Sequence, residues 1–146
     1  MPRMPEVRVA QASDAEQVAA LMIAFRNHIG RDRPTDREFR RTVEALLEDP
    51  STEFLLAATG VCQLRYRLSV WTATEDCWLE DLYVTEEARG TGVGRALIEA
   101  AFERARTRGC KRIQLDVADD NTRAIDVYRA EGFGIDGNTR LITRRL

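Results

Sequence analysis

The chain reads Arg-Gly-Thr-Gly-Val-Gly from Arg89 to Gly94, between an apolar run at Leu79–Val84 and a helical pattern that begins near Gly92. Glycines in such a loop let backbone N–H groups approach an anion closely. The N-terminus of the helix that follows adds the positive end of its dipole. The stretch therefore predicts a site for a phosphate or pyrophosphate group.

Two common phosphate-binding loops do not fit the spacing. A P-loop has a Lys and a hydroxyl residue directly after its last glycine, whereas Gly94 is followed by Arg95. A dinucleotide-binding loop has the spacing Gly-x-Gly-x-x-Gly, which glycines at positions 90, 92 and 94 do not give. What remains is the pattern Arg89-x-x-Gly92-x-Gly94, or a glycine-rich turn without a ligand.

Hydrophobic periodicity predicts the element order β-α-α-β-β-β-α-β-α-β, with room for one more short strand. The joins between the second, third and fourth strands are short enough for antiparallel hairpins. The predicted strands are Glu6–Ala10, Glu53–Ala58, Val61–Trp71, Cys77–Val84, a fifth around Ile113, Leu115 and Val117, and a last one at Leu141–Leu146.

Capping and turn residues predict where the helices begin and end. Capping boxes at Ser13–Glu16 and Thr35–Glu38 predict the starts of the first two helices. The helix after the glycine loop is expected to stop before Gly109, because glycine suits the position after a helix C-cap. Asp120 or Asn121 is expected to cap the last helix.

Three blocks of residues follow one another at characteristic separations. They are the run Leu79-Glu-Asp-Leu-Tyr-Val84, the glycine loop, and the set Asn121, Ala124, Tyr128, Gly132 and Phe133. Together they resemble the GCN5-related N-acetyltransferase (GNAT) family over about Leu79 to Phe133, and the element order is also that of this family. The N-terminal half matches by element order alone. Glu86 stands where the family often has Pro, which should alter only the stiffness of the loop.

The resemblance implies an α/β (α+β) fold: a mixed, mostly antiparallel sheet of six to seven strands flanked by about four helices, in a single domain over residues 1–146. It also implies that acetyl-coenzyme A (acetyl-CoA) is the co-substrate, held by backbone N–H groups where the fourth and fifth strands splay apart. By resemblance, the residues expected to bind it are Leu82, Tyr83, Val84, Arg89, Gly90, Thr91, Gly92, Val93, Gly94, Arg95 and Asn121. On local grounds Asn121 is equally well explained as a helix cap.

The resemblance also implies the catalytic roles. Tyr128 corresponds to the general acid that protonates the leaving thiolate. The Leu79–Val84 run looks most like the diamine (spermidine/spermine) branch, which implies Glu80 as a base acting through water and Asp81 as a residue that binds the amine. Neighbours on a strand face opposite sides, so both acids reach one site only if a β-bulge re-aims a side chain. The alternatives are a half-buried aromatic for Tyr128 and a solvated or arginine-paired carboxylate for one of the acids.

The composition of the chain makes some classes of partner and ligand improbable. A formal net charge of −2 gives no reason to expect nucleic acid, and no apolar stretch approaches the length of a membrane span. Three cysteines without ligand spacing and a single histidine, His28, predict that there is no metal site. His28 is expected to be a surface residue near the end of the first helix. The N-terminus lacks an apolar signal region, so a cytoplasmic location is expected, and we also expect a homodimer.

The resemblance predicts an N-acetyltransferase that moves an acetyl group from acetyl-CoA to a primary amine by direct attack in a ternary complex. The acid pair favours a small cationic amine as the acceptor. The alternative is a non-catalytic module that binds acyl-CoA as a sensor or scaffold. Such a module needs the loop and Asn121 but not Glu80, Asp81 and Tyr128, and the presence of all three favours the enzyme.

Overall fold

A computed structural model describes residues 4–146, which divide after Asp116 into two compact units. The larger unit contains five strands: β1 Arg8–Val9, β2 Thr52–Ala57, β3 Gly60–Ser69, β4 Thr74–Val84 and β5 Ile113–Gln114. It also contains three α-helices: α1 Ala15–His28, α2 Asp36–Leu47 and α3 Val93–Thr107. The smaller unit contains the helix α4, Thr122–Ala130.

The strands form one sheet in the order β1-β2-β3-β4-β5. The first four strands pair antiparallel, and β4 pairs with β5 in parallel. The parallel pairing covers only Cys77 with Ile113 and Trp78 with Gln114. The expected mixed, mostly antiparallel sheet is therefore confirmed, and the last third of β4 has no strand of the described chain on its β5 side.

The two faces of the sheet bury different helices. Residues such as Leu64 on β3 and Leu97 on α3 form one cluster, and residues such as Val61 on β3 and Val18 on α1 form the other, which also contains part of α2. Gly60 allows α3 to lie close to the sheet, because a Cβ there would come within 3.0 Å of the Leu97 and Val93 side chains. This close approach fixes the start of α3, and with it the glycine loop, against β3.

The predicted helix ends are confirmed except at α1. Thr35 and Glu38 form the expected capping box, with the Glu38 N–H donating to the Thr35 hydroxyl at 3.2 Å and the Thr35 N–H donating to the Glu38 carboxylate at 3.0 Å. The Ser13 box is wrong, because α1 begins at Ala15 after a 3₁₀ turn. There the Asp14 carboxylate accepts the Gln11 N–H at 2.7 Å, and Ser13 lies inside the 3₁₀ turn, without the extended backbone of an N-cap.

The strand count is lower than expected. Within residues 4–146 the sheet has five strands instead of six to seven, and the predicted strand at Leu141–Leu146 does not form. Leu141 and Ile142 are both more than four-fifths exposed, so they gain none of the burial or cross-strand packing that stabilises a strand. The first and fifth strands form where they were predicted, but each is only two residues long.

Candidate active site

A β-bulge interrupts β4 at Glu80. Gln63 on β3 lies opposite Asp81, and Leu64 lies opposite Leu79, so Glu80 has no partner on β3. An extra residue in one strand bends that strand locally and displaces the side chains that follow it. The bulge that the acid pair required is therefore present, at the first of the two acids.

The bulge turns Asp81 to the other face of the sheet. Leu79 packs with α3, and beyond the bulge Leu82 and Val84 pack against that same cluster, although an uninterrupted strand would keep odd-numbered residues there. Asp81 consequently shares the face of Tyr83, whose ring packs in the cluster of α1 and α2. Without the extra residue, Asp81 would point into the apolar contact with α3.

The two acids differ in their surroundings. Glu80 is exposed, whereas Asp81 is partly buried. Burial, together with the negative charges of Glu80 and Asp116, raises the pKa of Asp81 to about 6. No basic side chain within residues 4–146 forms an ion pair or hydrogen bond with Asp81. Asp81 is thus a carboxylate whose proton exchanges close to neutral pH and whose charge has no partner in the described chain.

The glycine loop has the conformation that an anion site requires. Gly90 and Gly92 have φ values of +78° and +92°, which side chains rarely adopt, and the positions of their missing Cβ atoms face open space. Gly92 is the N-cap of α3, and no side chain caps this helix. The N–H groups of the first turn therefore keep their hydrogen-bonding capacity and lie at the positive end of the helix dipole.

Arg89 ties the loop to the sheet and to α1. Its Nε donates to the Val84 carbonyl oxygen at 3.2 Å, and its Nη2 lies 3.2 Å from Nε2 of His28. The His28 ring lies against Tyr83, with 6.2 Å between ring centroids, and Tyr83 stacks on Phe25 at 5.2 Å. His28 is exposed as expected, but its contact with a loop residue 61 positions away had no signal in the sequence.

The smaller unit contains the other two predicted residues on one helix. Asn121 is the N-cap of α4, and its side-chain oxygen accepts the Ala124 N–H at 3.3 Å, so the cap expected on local grounds is confirmed. Tyr128 lies two turns further along α4 and packs edge-on against Phe133 with 5.6 Å between ring centroids. Their roles toward the co-substrate stay predictions.

A surface cavity of about 370 Å³ opens in the larger unit, away from the acid pair. It is lined by residues of β1, α1 and the β2–β3 turn, including Arg8, Gln17 and Thr59. Of the predicted site residues, Val93 lines it and Glu80 and Asp81 do not. The cavity is therefore not the site that Glu80 and Asp81 would form.

Comparison with known proteins identifies the family. Residues 17–133 match the model of the Acetyltransferase (GNAT) family. The chain belongs to this family. The resemblance drawn from the three sequence blocks is confirmed, and so is the fold class.

Individual relatives have similar sequences over different lengths. A thialysine N-epsilon-acetyltransferase from Sus scrofa is 38% identical over 78 residues, which are 50% of this chain and 45% of that protein. The chain thus spans less than half the length of that relative. An aminoglycoside N(6')-acetyltransferase from Stenotrophomonas maltophilia is 28% identical over 137 residues, covering 88% of this chain and 86% of that one.

A solved structure has the same fold over the whole chain. It comes from Arthrobacter sp. FB24, is assigned as an acetyltransferase, and superposes with a TM-score of 0.89 at 28% identity, covering 100% of this chain and 99% of the other. In the described residues no helix is long and apolar enough to cross a membrane. Residues 4–146 also contain no group of three or more His, Cys, Asp or Glu side chains that could hold a metal ion.

Proposed function

We propose that this GNAT protein transfers the acetyl group of acetyl-CoA to a primary amine of a small cationic acceptor, by direct attack in a ternary complex. The observation that carries the proposal is Asp81, a partly buried carboxylate without a cationic partner in residues 4–146, placed by the bulge where β4 has no neighbour on its β5 side. Buried carboxylates are normally paired, so an unpaired one suits a cationic ligand. The names of two relatives, for thialysine and for aminoglycosides, specify amino groups as acceptors.

The co-substrate would bind along β4 and the glycine loop. The uncapped N–H groups at the start of α3 suit its pyrophosphate, and the backbone of Leu82–Val84 suits the pantetheine arm and the thioester oxygen. We assign Asn121 as a further contact because it corresponds to the amide that contacts the coenzyme in the family. A single domain, a homodimer and a cytoplasmic location stay predictions.

The chemistry needs one base and one acid. The acceptor ammonium first loses a proton through water to Glu80. The neutral amine nitrogen then attacks the thioester carbonyl carbon, the C–S bond breaks, and Tyr128 protonates the departing thiolate. The second proton that the nitrogen loses returns through water to the Tyr128 oxygen. Asp81 holds the positive charge of the acceptor before the first proton leaves. Burial raises the pKa of all three cysteines, Cys62, Cys77 and Cys110, so none supplies a thiolate for a covalent acetyl intermediate. This supports direct attack.

A non-catalytic acyl-CoA module is not favoured. Such a module would have no use for a buried carboxylate without a partner, because the negative charge of Asp81 destabilises the fold near neutral pH unless it has a cation to bind. A sensor needs only the loop to bind acyl-CoA. The bulge and Asp81 have a use only if a cationic acceptor also binds.

The cofactor assignment is tested by calorimetry with coenzyme A. The wild type should bind coenzyme A, and Gly92→Asp should abolish binding because its carboxylate repels the pyrophosphate. Gly109→Asp is the matched control, because Gly109 lies at the other end of α3 with φ +78° and open space at its Cβ position. If the wild type shows neither heat of binding nor a thermal shift with coenzyme A, the proposed function is wrong.

The acid is tested by Tyr128→Phe. This variant should retain its affinity for coenzyme A and lose roughly 10²–10⁴-fold in turnover, the usual contribution of a positioned acid. Thiol release from acetyl-CoA, measured with the best amine found in a screen, reports the turnover. A rate within a few-fold of the wild type would remove Tyr128 from the mechanism.

A further inference from the structure

Gln63 is a buried amide beside the acid pair. It is 5% exposed and lies in the middle of β3, with Phe54 of β2 on one side and Asp81 of β4 on the other. Residues directly opposite on neighbouring strands share a face, so these three side chains form one row on the face covered by α1 and α2. Within residues 4–146 the Gln63 side chain has no hydrogen-bond partner.

The amide atoms of Gln63 stay accessible to solvent, because the fully buried unpaired side-chain atoms of the described residues are the hydroxyls of Thr52 and Thr85. A mostly buried side chain thus keeps its polar end open to a small molecule. The other buried polar residue near β4 behaves differently: Asp76 is bonded to both Arg112 and Thr72. An accessible amide without a partner can accept a hydrogen bond from a ligand without breaking an internal one. Two adjacent groups in one row, the Gln63 amide and the Asp81 carboxylate, lack partners here, which suggests one ligand for both.

We propose that Gln63 is a specificity-determining residue of the acceptor site, whose side-chain carbonyl oxygen accepts a hydrogen bond from the reacting amino group while Asp81 accepts another. The proposal rests on the proposed function and deepens it. Side chains paired across two strands have Cβ atoms about 5 Å apart, close enough for one nitrogen to reach both oxygens.

The geometry of an amine explains why two acceptors are needed. An ammonium group has donors only, and after it loses its proton a primary amine keeps two N–H bonds and one lone pair. If one N–H points to Gln63 and the other to Asp81, the lone pair is left free to attack the thioester. A hydroxyl group has a single donor and can satisfy only one of the two oxygens, so this pair selects an amine over an alcohol of the same shape.

The test is Gln63→Met, which keeps the length of the side chain and removes both polar groups. The KM of the acceptor should rise at least tenfold, while the KM of acetyl-CoA stays the same and the melting temperature stays the same or increases. Gln17→Met, on the exposed side of α1, is the matched control and should change none of these values. The acceptor is the best substrate among thialysine, spermidine and kanamycin, and calorimetry on the coenzyme A complex provides a second measure of its affinity.

A structural role would give the opposite pattern, with a lower melting temperature and an unchanged acceptor KM in Gln63→Met, and that result overturns the proposal. An amine that neither reacts nor binds to the wild-type coenzyme A complex, across the whole panel, overturns it too. Failure of the proposed function is seen separately, because coenzyme A would then not bind to the wild type. If coenzyme A binds, amines react and Gln63→Met matches Gln17→Met, only the assignment of Gln63 is wrong.

Discussion

The two ends of β4 each carry an aspartate, and the two carboxylates differ in their hydrogen-bond partners and in the direction of their pKa shifts. Asp76 lies where β4 approaches β5 and is 2% exposed, yet Arg112 donates to it at 2.8 Å and Thr72 donates at 2.9 Å. Both hydrogen bonds lower the pKa of Asp76, and the bond from Arg112 has the larger effect. Asp81 lies beyond the bulge, where no basic side chain of residues 4–146 pairs with it, and burial raises its pKa to about 6.

The difference separates a structural acid from one kept for a ligand. Asp76 has its cation within the fold, on the segment that leads into β5, so its charge helps to hold the two strands together. Asp81 lies on the same strand, and the charged groups of the described residues that act on it, Glu80 and Asp116, are both negative. Arg112 pairs with Asp76, whereas no basic side chain of residues 4–146 pairs with Asp81. Asp81 can therefore pair with the cation of a ligand.

The largest expected effect comes from removing the partner of Asp76. Arg112→Met should lower the free energy of unfolding by about 3 kcal/mol, because it leaves a buried carboxylate without its cation. Urea denaturation at pH 7 measures this loss. In the double variant Asp76→Asn/Arg112→Met most of the loss should be recovered, and equal losses in the single and double variants would mean that the ion pair is not the cause.

Removing the charge of Asp81 should affect binding instead. Asp81→Asn should raise the KM of a cationic acceptor by about 10–100-fold, the range expected for a hydrogen bond to a charged group, and leave the KM of acetyl-CoA unchanged. Steady-state kinetics with each substrate varied in turn makes the measurement. Asp76→Asn is the control from the other end of the strand, and a similar rise in acceptor KM there would break the comparison.

Glu80 should act on rate and not on affinity. Because it is exposed and works through water, Glu80→Gln should lower kcat by about tenfold, below the usual 10²–10⁴ contribution of a positioned base. The pH profile of kcat/KM distinguishes the two acids. The wild type and Glu80→Gln should both lose activity below about pH 6, where Asp81 becomes protonated, and Asp81→Asn should lack this acidic limb. An acidic limb that disappears in Glu80→Gln instead would exchange the two roles.

The smallest expected effect is on stability, and its sign distinguishes the two ends of β4. The folded-state pKa of Asp81, about 6, lies above its ordinary value of 3.8, so the free energy of unfolding falls as the pH rises between these values. Asp81→Asn should therefore stabilise the fold at pH 7 by about 1–2 kcal/mol and have no such effect below pH 4. Thermal unfolding at both pH values tests this. The lowered pKa of Asp76 predicts the reverse: its contribution to stability is present at neutral pH and is lost on acidification.

Local sequence patterns predicted most elements but not how short some of them are. The Thr35 capping box, the Asn121 cap and the turn at Gly109 depend on residues within one or two turns of the chain, and all three form as expected. The Ser13 box failed because Ser13 lies inside the 3₁₀ turn that precedes α1 and therefore cannot be the N-cap of that helix. The strand at Leu141–Leu146 does not form, because a strand is stabilised by cross-strand packing and burial, and the exposed Leu141 and Ile142 have neither.

The sequence by itself determined the family, the order of the elements and the glycine loop, because each depends on residue types at fixed local spacing. It named Glu80 and Asp81, and the resemblance implied a role for each, but no local pattern showed how their surroundings differ. Only the tertiary structure decided that Glu80 is the extra residue of the bulge, that Asp81 lies opposite Gln63, and that His28 contacts Arg89. These are pairings between segments distant in the chain, and burial and charge at Asp81 follow from them, so no local pattern contains them.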